Sequence, residues 1–258
     1  MAEALRRIDM LDTAPRWREA DAVRLNQLFR GADTHEMLKA LIEGHMLGEA
    51  AVVSSFGTES AVLLDLVAAV DRSVPVLFLD TGKHFAETIA YRDTLVERLG
   101  LTDVRVLTPD PTEIAARDDG GLRWSYDPDG CCELRKVKPL ARGLAGFDAS
   151  FTGRKTFQAT TRSALPRFEI DASDPLGRLK VNPLATWTKD DIAAHFDARA
   201  LPRHPLEAQG YPSVGCQPCT SKVRPGEDPR AGRWRGWDKT ECGIHTPVAD
   251  GDPDQPSF

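Results

Sequence analysis

No run of eighteen or more apolar residues occurs in the chain, so the sequence offers no helix able to cross a bilayer. Its first thirty residues lack even a short apolar block, since Arg6, Arg7, Asp9, Asp12, Arg16, Arg18, Glu19 and Asp21 are scattered through them, which excludes the core of a secretory leader. A soluble, unprocessed cytoplasmic protein is the expectation. A large excess of one charge is missing too. The 33 Lys and Arg against 39 Asp and Glu give a formal charge of −6 with the signs interspersed. Such a field gives no reason to expect duplex nucleic acid or an anionic membrane as partner, so any anion site must be local. Cysteine is scarce and odd in number: Cys131, Cys132, Cys216, Cys219 and Cys242. Without a secretion signal, that count argues against a disulfide scaffold. Two of the five are adjacent, two are spaced C-x-x-C, and one stands alone.

At 258 residues, one α/β core with a modest tail fits the length. Apolar positions recur at helical spacing between 18 and 48 (Val23, Leu25, Leu28, Phe29, then Met37, Leu38, Leu41, Ile42), so helices precede the first strand. Ala50 to Val53 then reads as a strand, SSFGTES as a turn and Ser60 to Val70 as a helix. Val74 to Leu79 is the next strand, followed by Asp80, Thr81 and Gly82, a helix through Leu99 and a strand at Val104 to Leu107. Strands alternating with helices predict a mostly parallel sheet flanked by helices. Further strands are expected at Asp148 to Gly153, Phe168 to Ile170 and Leu179 to Val181, with a helix over Lys189 to Phe196. Near Val223 the composition turns to Pro, Gly, Asp and Arg with little apolar material to pack. We therefore divide the chain into a nucleotide-binding α/β domain, 1–222, and a flexible C-terminal tail, 223–258, whose last dozen residues carry no periodic pattern.

Three segments carry chemistry. In Ser54-Ser55-Phe56-Gly57-Thr58-Glu59-Ser60 small residues and hydroxyls lie between a buried strand and a helix start, where free amides and the helix dipole favour an anion. A plain N-capping turn would use the same residues. The four thiols of Cys131-Cys132 and Cys216-x-x-Cys219 suit zinc or an iron-sulfur cluster. Adjacent ligands are unusual for structural zinc and favour a larger, polynuclear core. Four buried thiols without function remain the alternative, against polar neighbours Glu133, Arg135 and Lys136. Cys242 lies between Lys239 and His245, cations that would favour its thiolate; an exposed tail cysteine without function is the bland reading. Arg135, Lys136, Lys138, Arg154, Lys155, Arg162, Arg230, Arg233 and Arg235 could converge on a substrate bearing phosphate and sulfate. We assign Trp124, Tyr126, Trp187, Trp234 and Trp237 mostly to packing, Asp80 to orienting a turn, and His35, His45, His84, His195 and His204 to structural or surface positions.

SSFGTES, LDTGKHFAET, CCELRKVKPL, HPLEAQGYPSVGCQPCT, DPRAGRW and KTECGIH resemble, in order, the motifs of the adenylyl-sulfate reductases of the sulfonucleotide reductase group, over roughly residues 50 to 246. The resemblance implies an adenine nucleotide α-hydrolase-like fold, a [4Fe-4S] cluster on Cys131, Cys132, Cys216 and Cys219, and thioredoxin as reductant. It implies substrate contacts at Ser54, Leu79, Lys136, Gly153, Arg162, Arg230, Arg233 and His245, and Cys242 as nucleophile. In one place the chain departs from the pattern: Thr152-Gly153-Arg154-Lys155-Thr156-Phe157 stands where relatives follow TG with two arginines and an acid.

The reaction so implied converts adenylyl sulfate to sulfite and AMP through an enzyme S-sulfocysteine, in sulfate assimilation and cysteine biosynthesis. Twenty-two residues separate Cys219 from Cys242, a reach of up to roughly 70 Å when extended, so the tail can open and close. A reductase for the 3′-phosphorylated nucleotide, or one of dual specificity, is the near alternative; both cysteine pairs favour the unphosphorylated substrate. An ATP-consuming ligase or tRNA-thiolating enzyme would normally carry Gly-Gly and Asp where this chain has Phe56-Gly57 and Glu59. A noncatalytic zinc-binding nucleotide sensor would leave Cys242 dispensable. The sequence leaves open whether the chain forms a homo-oligomer.

Overall fold

A central strand buried on both faces must be apolar along its whole length, and Val76–Leu79 (β2, VLFL) is buried at every position. It belongs to a six-stranded sheet in the order β3-β2-β1-β4-β6-β5, built from Ala50–Ser54 (β1), β2, Val104–Leu107 (β3), Ala149–Thr152 (β4), Phe168–Ile170 (β5) and Leu179–Val181 (β6). Pairing is parallel, with Val52 opposite Val76 and Phe151, except that β5 runs antiparallel to β6 at the edge. The computed structural model describes residues 16–245 apart from 159–161, 163 and 175, and His245 by its backbone only.

The helices are Glu19–Leu28 (α1), Thr34–Glu43 (α2), Ser60–Ala68 (α3), Ala86–Leu99 (α4), Pro111–Arg117 (α5), Pro128–Cys132 (α6), Lys138–Gly143 (α7) and Lys189–Ala198 (α8). Alternate β-strand residues feed two cores. Val52, Phe78 and Phe151 pack with Met37, Leu38, Leu64, Leu95 and Phe196, whereas Ala51, Leu77 and Leu79 meet Leu140 and Leu144 on the other face. Helix α3 is buried from Ala61 through Ala68, as expected of a helix apolar all round. Its one acid, Asp65, is paired with His195 (2.9 Å) and Arg199 (3.0 Å) from and just after α8. Among the described residues no helix is long and apolar enough to cross a membrane.

Strands β3, β5 and β6 begin and end where the sequence places them, and the others agree to within two residues. Two features were not anticipated. Helix α5 forms behind an Asp110 cap that accepts from Thr112 and Glu113 N–H. Between α6 and α7 the chain widens into a π-helix, Glu133–Val137, a form that concentrates at functional sites.

Candidate functional site

The chain moves outward from β1 through β2 to β3, then returns to place β4 on β1's other side. That reversal opens a crevice beyond the strand ends, where ligands of open α/β sheets bind. A cavity of about 410 Å³ occupies it, lined by the turns after β1 and β4 and by the tail, and reaching Leu79, Lys136, Arg233 and Cys242.

After β1 the chain reverses at Phe56, whose φ of 48° is rare for a bulky residue. The strained turn is held because the ring is fully buried and meets Phe78 edge-on at 5.4 Å. Ser54 Oγ accepts the Phe56 N–H (3.2 Å), and Thr58 Oγ1 donates to the Pro212 carbonyl (2.9 Å). No side chain caps α3, so the capping-turn reading fails. Its first turn, with Gly57, Thr58, Glu59 and Ser60 lining the cavity, is placed to receive an anion.

The turn after β4 supplies a chain of polar contacts. Gly153 faces open space. Lys155, fully buried, donates to Glu59 Oε2 and to the Gly153 carbonyl, both at 2.9 Å; burial pushes its ammonium pKa down, against the pull of Glu59. Gln158 bridges Glu59 (2.8 Å) to Arg162 (2.6 Å). The Arg162 guanidinium then grips the Glu241 carboxylate with two bonds of 2.7 Å, and Arg230 reaches the Thr240 carbonyl (3.0 Å) and Glu241 (3.4 Å). Arg154 pairs with Glu169 on β5.

The tail crosses the cavity mouth by pairing with the C-x-x-C loop. Ser221 N–H donates to the Gly232 carbonyl (2.8 Å) and Trp234 N–H to the Cys219 carbonyl (3.0 Å). A Cβ at Gly232 would overlap the Ser221 carbonyl. Composition gave this segment little to pack, yet Trp234 is only 3% exposed, in contact with Cys132, Cys219 and Cys242. Arg233 lies over its ring at 4.5 Å, and among the described residues the buried Arg233 Nε has no hydrogen-bond partner.

All five cysteines are free thiols gathered at this end of the sheet. Cys131 is pushed up to about 11 by burial and by neighbouring Cys216. Cys216 meets Thr81 Oγ1 at 3.3 Å, and its backbone bridges to His84. Cys132 contacts Cys242, which keeps the Cys132 thiol protonated and, with burial, raises its pKa. The Cys242 thiol is held well below its ordinary value by Cys132 beside it, against burial, and also by the Lys136 ammonium, the Ile244 backbone and the Lys239 ammonium. Burial works against the Lys136 charge, but Cys216, Cys242 and Cys132 raise its pKa overall. Among the described residues no three His, Cys, Asp or Glu side chains are disposed to hold a single metal ion. Four convergent thiols beside Arg135, Lys136 and Arg233 fit a larger core with thiolate ligands.

Ser54, Leu79, Lys136, Gly153, Arg162, Arg230 and Arg233 all line the same cavity as Cys242. The His245 side chain lies outside the described residues. Of the other basic residues, Arg135 is tied to Asp118 (2.6 Å), Lys138 to Glu113 (2.6 Å) and Arg235 to Glu227 (2.9 Å). Asp80 accepts the Gly82 N–H (2.9 Å), the turn role expected of it. Sequence reasoning missed Gln158 and the partnership of Glu59 with Lys155, which are far apart in the chain, and the role of Glu241, although it adjoins Cys242.

The family described as the phosphoadenosine phosphosulfate reductase domain matches residues 49–222. The chain is similar to the adenosine 5′-phosphosulfate reductase of Mesorhizobium japonicum, at 50% identity over 88% of this chain and 87% of that one. Its structure is similar to that of phosphoadenylyl-sulfate reductase from Candida auris in a phosphate complex, with a TM-score of 0.67 and 25% identity over 81% of this chain and all of the other. Candida glabrata FMN adenylyltransferase shares the fold, at a TM-score of 0.52 and 16% identity over 77% and 72% of the two chains.

Proposed function

This chain belongs to the phosphoadenosine phosphosulfate reductase domain family, and from that premise we propose that it reduces adenylyl sulfate to sulfite and AMP in sulfate assimilation. The observation that carries the reading is the tail cysteine, Cys242, set in the wall of the switch-point cavity beside Lys136, Arg162, Arg230 and Arg233.

Cys242 attacks the sulfate sulfur; the bond from sulfur to the bridging oxygen breaks, and AMP leaves with that electron pair. The cations offset the charge gathering on the leaving phosphate. Cys242 then carries a sulfo group. A thiolate of an external dithiol attacks the Cys242 sulfur, sulfite leaves with the sulfur-sulfur pair, and the second thiol closes the donor's disulfide, returning the Cys242 thiolate. Two electrons pass from dithiol to substrate, and sulfur(VI) becomes sulfur(IV). Thioredoxin supplies this chemistry in a reducing cytoplasm. Cys242 is only 9% exposed, so the tail must open to present it to a protein donor.

Cys131, Cys132, Cys216 and Cys219 would hold a [4Fe-4S] cluster, whose charge would add to the local field on substrate. Adenylyl sulfate is preferred to its 3′-phosphorylated form because a relative at 50% identity bears that activity in its name and both cysteine pairs are present.

The test is mass spectrometry. Protein incubated with adenylyl sulfate and no reductant should gain one sulfo group, mapped to Cys242 and removed by thioredoxin. Cys242→Ser should keep nucleotide binding and release no sulfite. An adduct on another cysteine, or sulfite from the serine variant at the wild-type rate, overturns the assignment.

A further inference from the structure

Two residues beyond Cys242 the tail makes a second attachment, away from the cavity. Ile244 lies in the short turn Gly243–His245. Its carbonyl accepts from Lys180 Nζ and lies at the same distance, 3.2 Å, from Ser173 Oγ. Asp171 Oδ1 lies 2.6 Å from both, bracing the Lys180 ammonium and sharing with the Ile244 carbonyl the single hydrogen of the Ser173 hydroxyl. Lys180 projects from β6 and is 5% exposed; Asp171 is 6% exposed. None of Lys180, Ser173 and Asp171 lines the cavity, whereas Ile244 does.

A buried ion pair bears a large desolvation cost, and a lysine kept dry by one carboxylate still has donors to satisfy. Here the further acceptor is a tail carbonyl more than sixty positions away in sequence. The Gly243–His245 turn is short, and Ile244 lines the same cavity as Cys242. Fixing the Ile244 carbonyl on the sheet therefore anchors the tail two residues beyond the thiol and limits how far that thiol can leave the cavity.

We propose that Lys180 and Ser173, both braced by Asp171, are positioning residues for the nucleophile: they dock the Ile244 carbonyl beside β6 and so anchor the tail two residues beyond Cys242, holding its sulfur in the cavity. The proposal rests on the reading of Cys242 as the nucleophile. The dock acts through Ile244 and touches no substrate. Unlike the Glu241 contact, it uses none of the arginines that face the cavity, so it can persist while a nucleotide is bound.

The experiment compares Ser173→Ala, Lys180→Arg and the paired variant Asp171→Asn with Lys180→Met, which removes the ion pair without stranding a charge. Melting temperature, iron content, AMP affinity and the single-turnover rate of sulfo-adduct formation at saturating adenylyl sulfate are measured on each. AMP affinity and iron should stay at wild-type levels, while adduct formation falls about tenfold in the paired variant and about threefold in Ser173→Ala, the scale of one or two lost hydrogen bonds. Lys180→Arg, which keeps a donor, should recover most of the rate. A folded paired variant forming adduct at the wild-type rate overturns the proposal; if that variant does not fold, a wild-type rate in Ser173→Ala does so. A parallel fall in AMP affinity and rate would also overturn it, reducing the pair to a brace for the β5–β6 turn. Absence of any adduct on Cys242 in the wild type would instead refute the nucleophile assignment.

Discussion

Arg233 carries the sharpest expectation at the scale of single residues. Its Nε is buried with no acceptor among the described residues, Nη1 reaches only the Val214 carbonyl at 3.4 Å, one face is taken by Trp234, and the side chain fronts the cavity. An unsatisfied guanidinium nitrogen is costly, and a nucleotide phosphate would satisfy it. Arg233→Ala should weaken AMP binding by about 1.5–3 kcal/mol, the value of a hydrogen bond to a charged group, and Arg230→Ala by a similar amount; calorimetric titration checks both. Lysine at 233 should not restore affinity, because a point charge lacks the planar fork and its stacking. Residue types and order made the cysteines and these arginines legible in the sequence. Which arginines are already engaged inside the protein was not, since Asp118, Glu169 and Glu227 reach them only after folding.

Among the elements, the helix bearing Cys131 and Cys132 depends on an anchor outside itself. Arg135, in the π segment, donates to Asp118 through Nε (2.9 Å) and Nη2 (2.6 Å) and to the Thr81 carbonyl (2.9 Å). Burial would raise the Asp118 pKa, but the Arg123 N–H and Arg135 hold it below the usual carboxylate range. Asp118→Ala leaves a buried guanidinium without its counter-ion and should cost roughly 3–5 kcal/mol, read as a lower urea midpoint. Iron should be lost in the same variant, because the Arg135 fork that also holds the Thr81 carbonyl beside Cys216 loses the carboxylate that orients it. The strands were legible because apolar runs between turn residues leave little choice of state. The π segment was not: its pattern ELRKV differs from an α-helix by one hydrogen-bond step, which hydrophobic spacing does not encode.

For the molecule as a whole, acid stability turns on His204. Buried against α4, it meets Thr88 Oγ1 (3.1 Å) and accepts the Leu206 N–H (3.2 Å), and burial lowers its pKa from 6.5 to about 4, opposed by Glu87. The unfolded chain therefore takes up this proton first. The stability that neutral His204 allows is intact above pH 6.5 and is lost as pH falls from 6.5 towards 4. His204→Gln should flatten that limb of a urea-midpoint against pH curve. The closed tail was the least legible part of the fold, because its hold comes from backbone pairing at 219–221 and from scattered ion pairs. Composition reports apolar content and is blind to both.

The Glu241 carboxylate, lodged in the Arg162 fork, acts on the ligand-free protein as a tethered competitor. A group on a short linker behaves as if present at about millimolar concentration, so any nucleotide that uses Arg162 must displace an anion the protein already carries. An affinity measured for AMP is then a difference between two anions bound to one guanidinium. Glu241→Gln should uncover the intrinsic affinity of the cavity, seen as tighter AMP binding in the same titration that shows Arg233→Ala to be weaker.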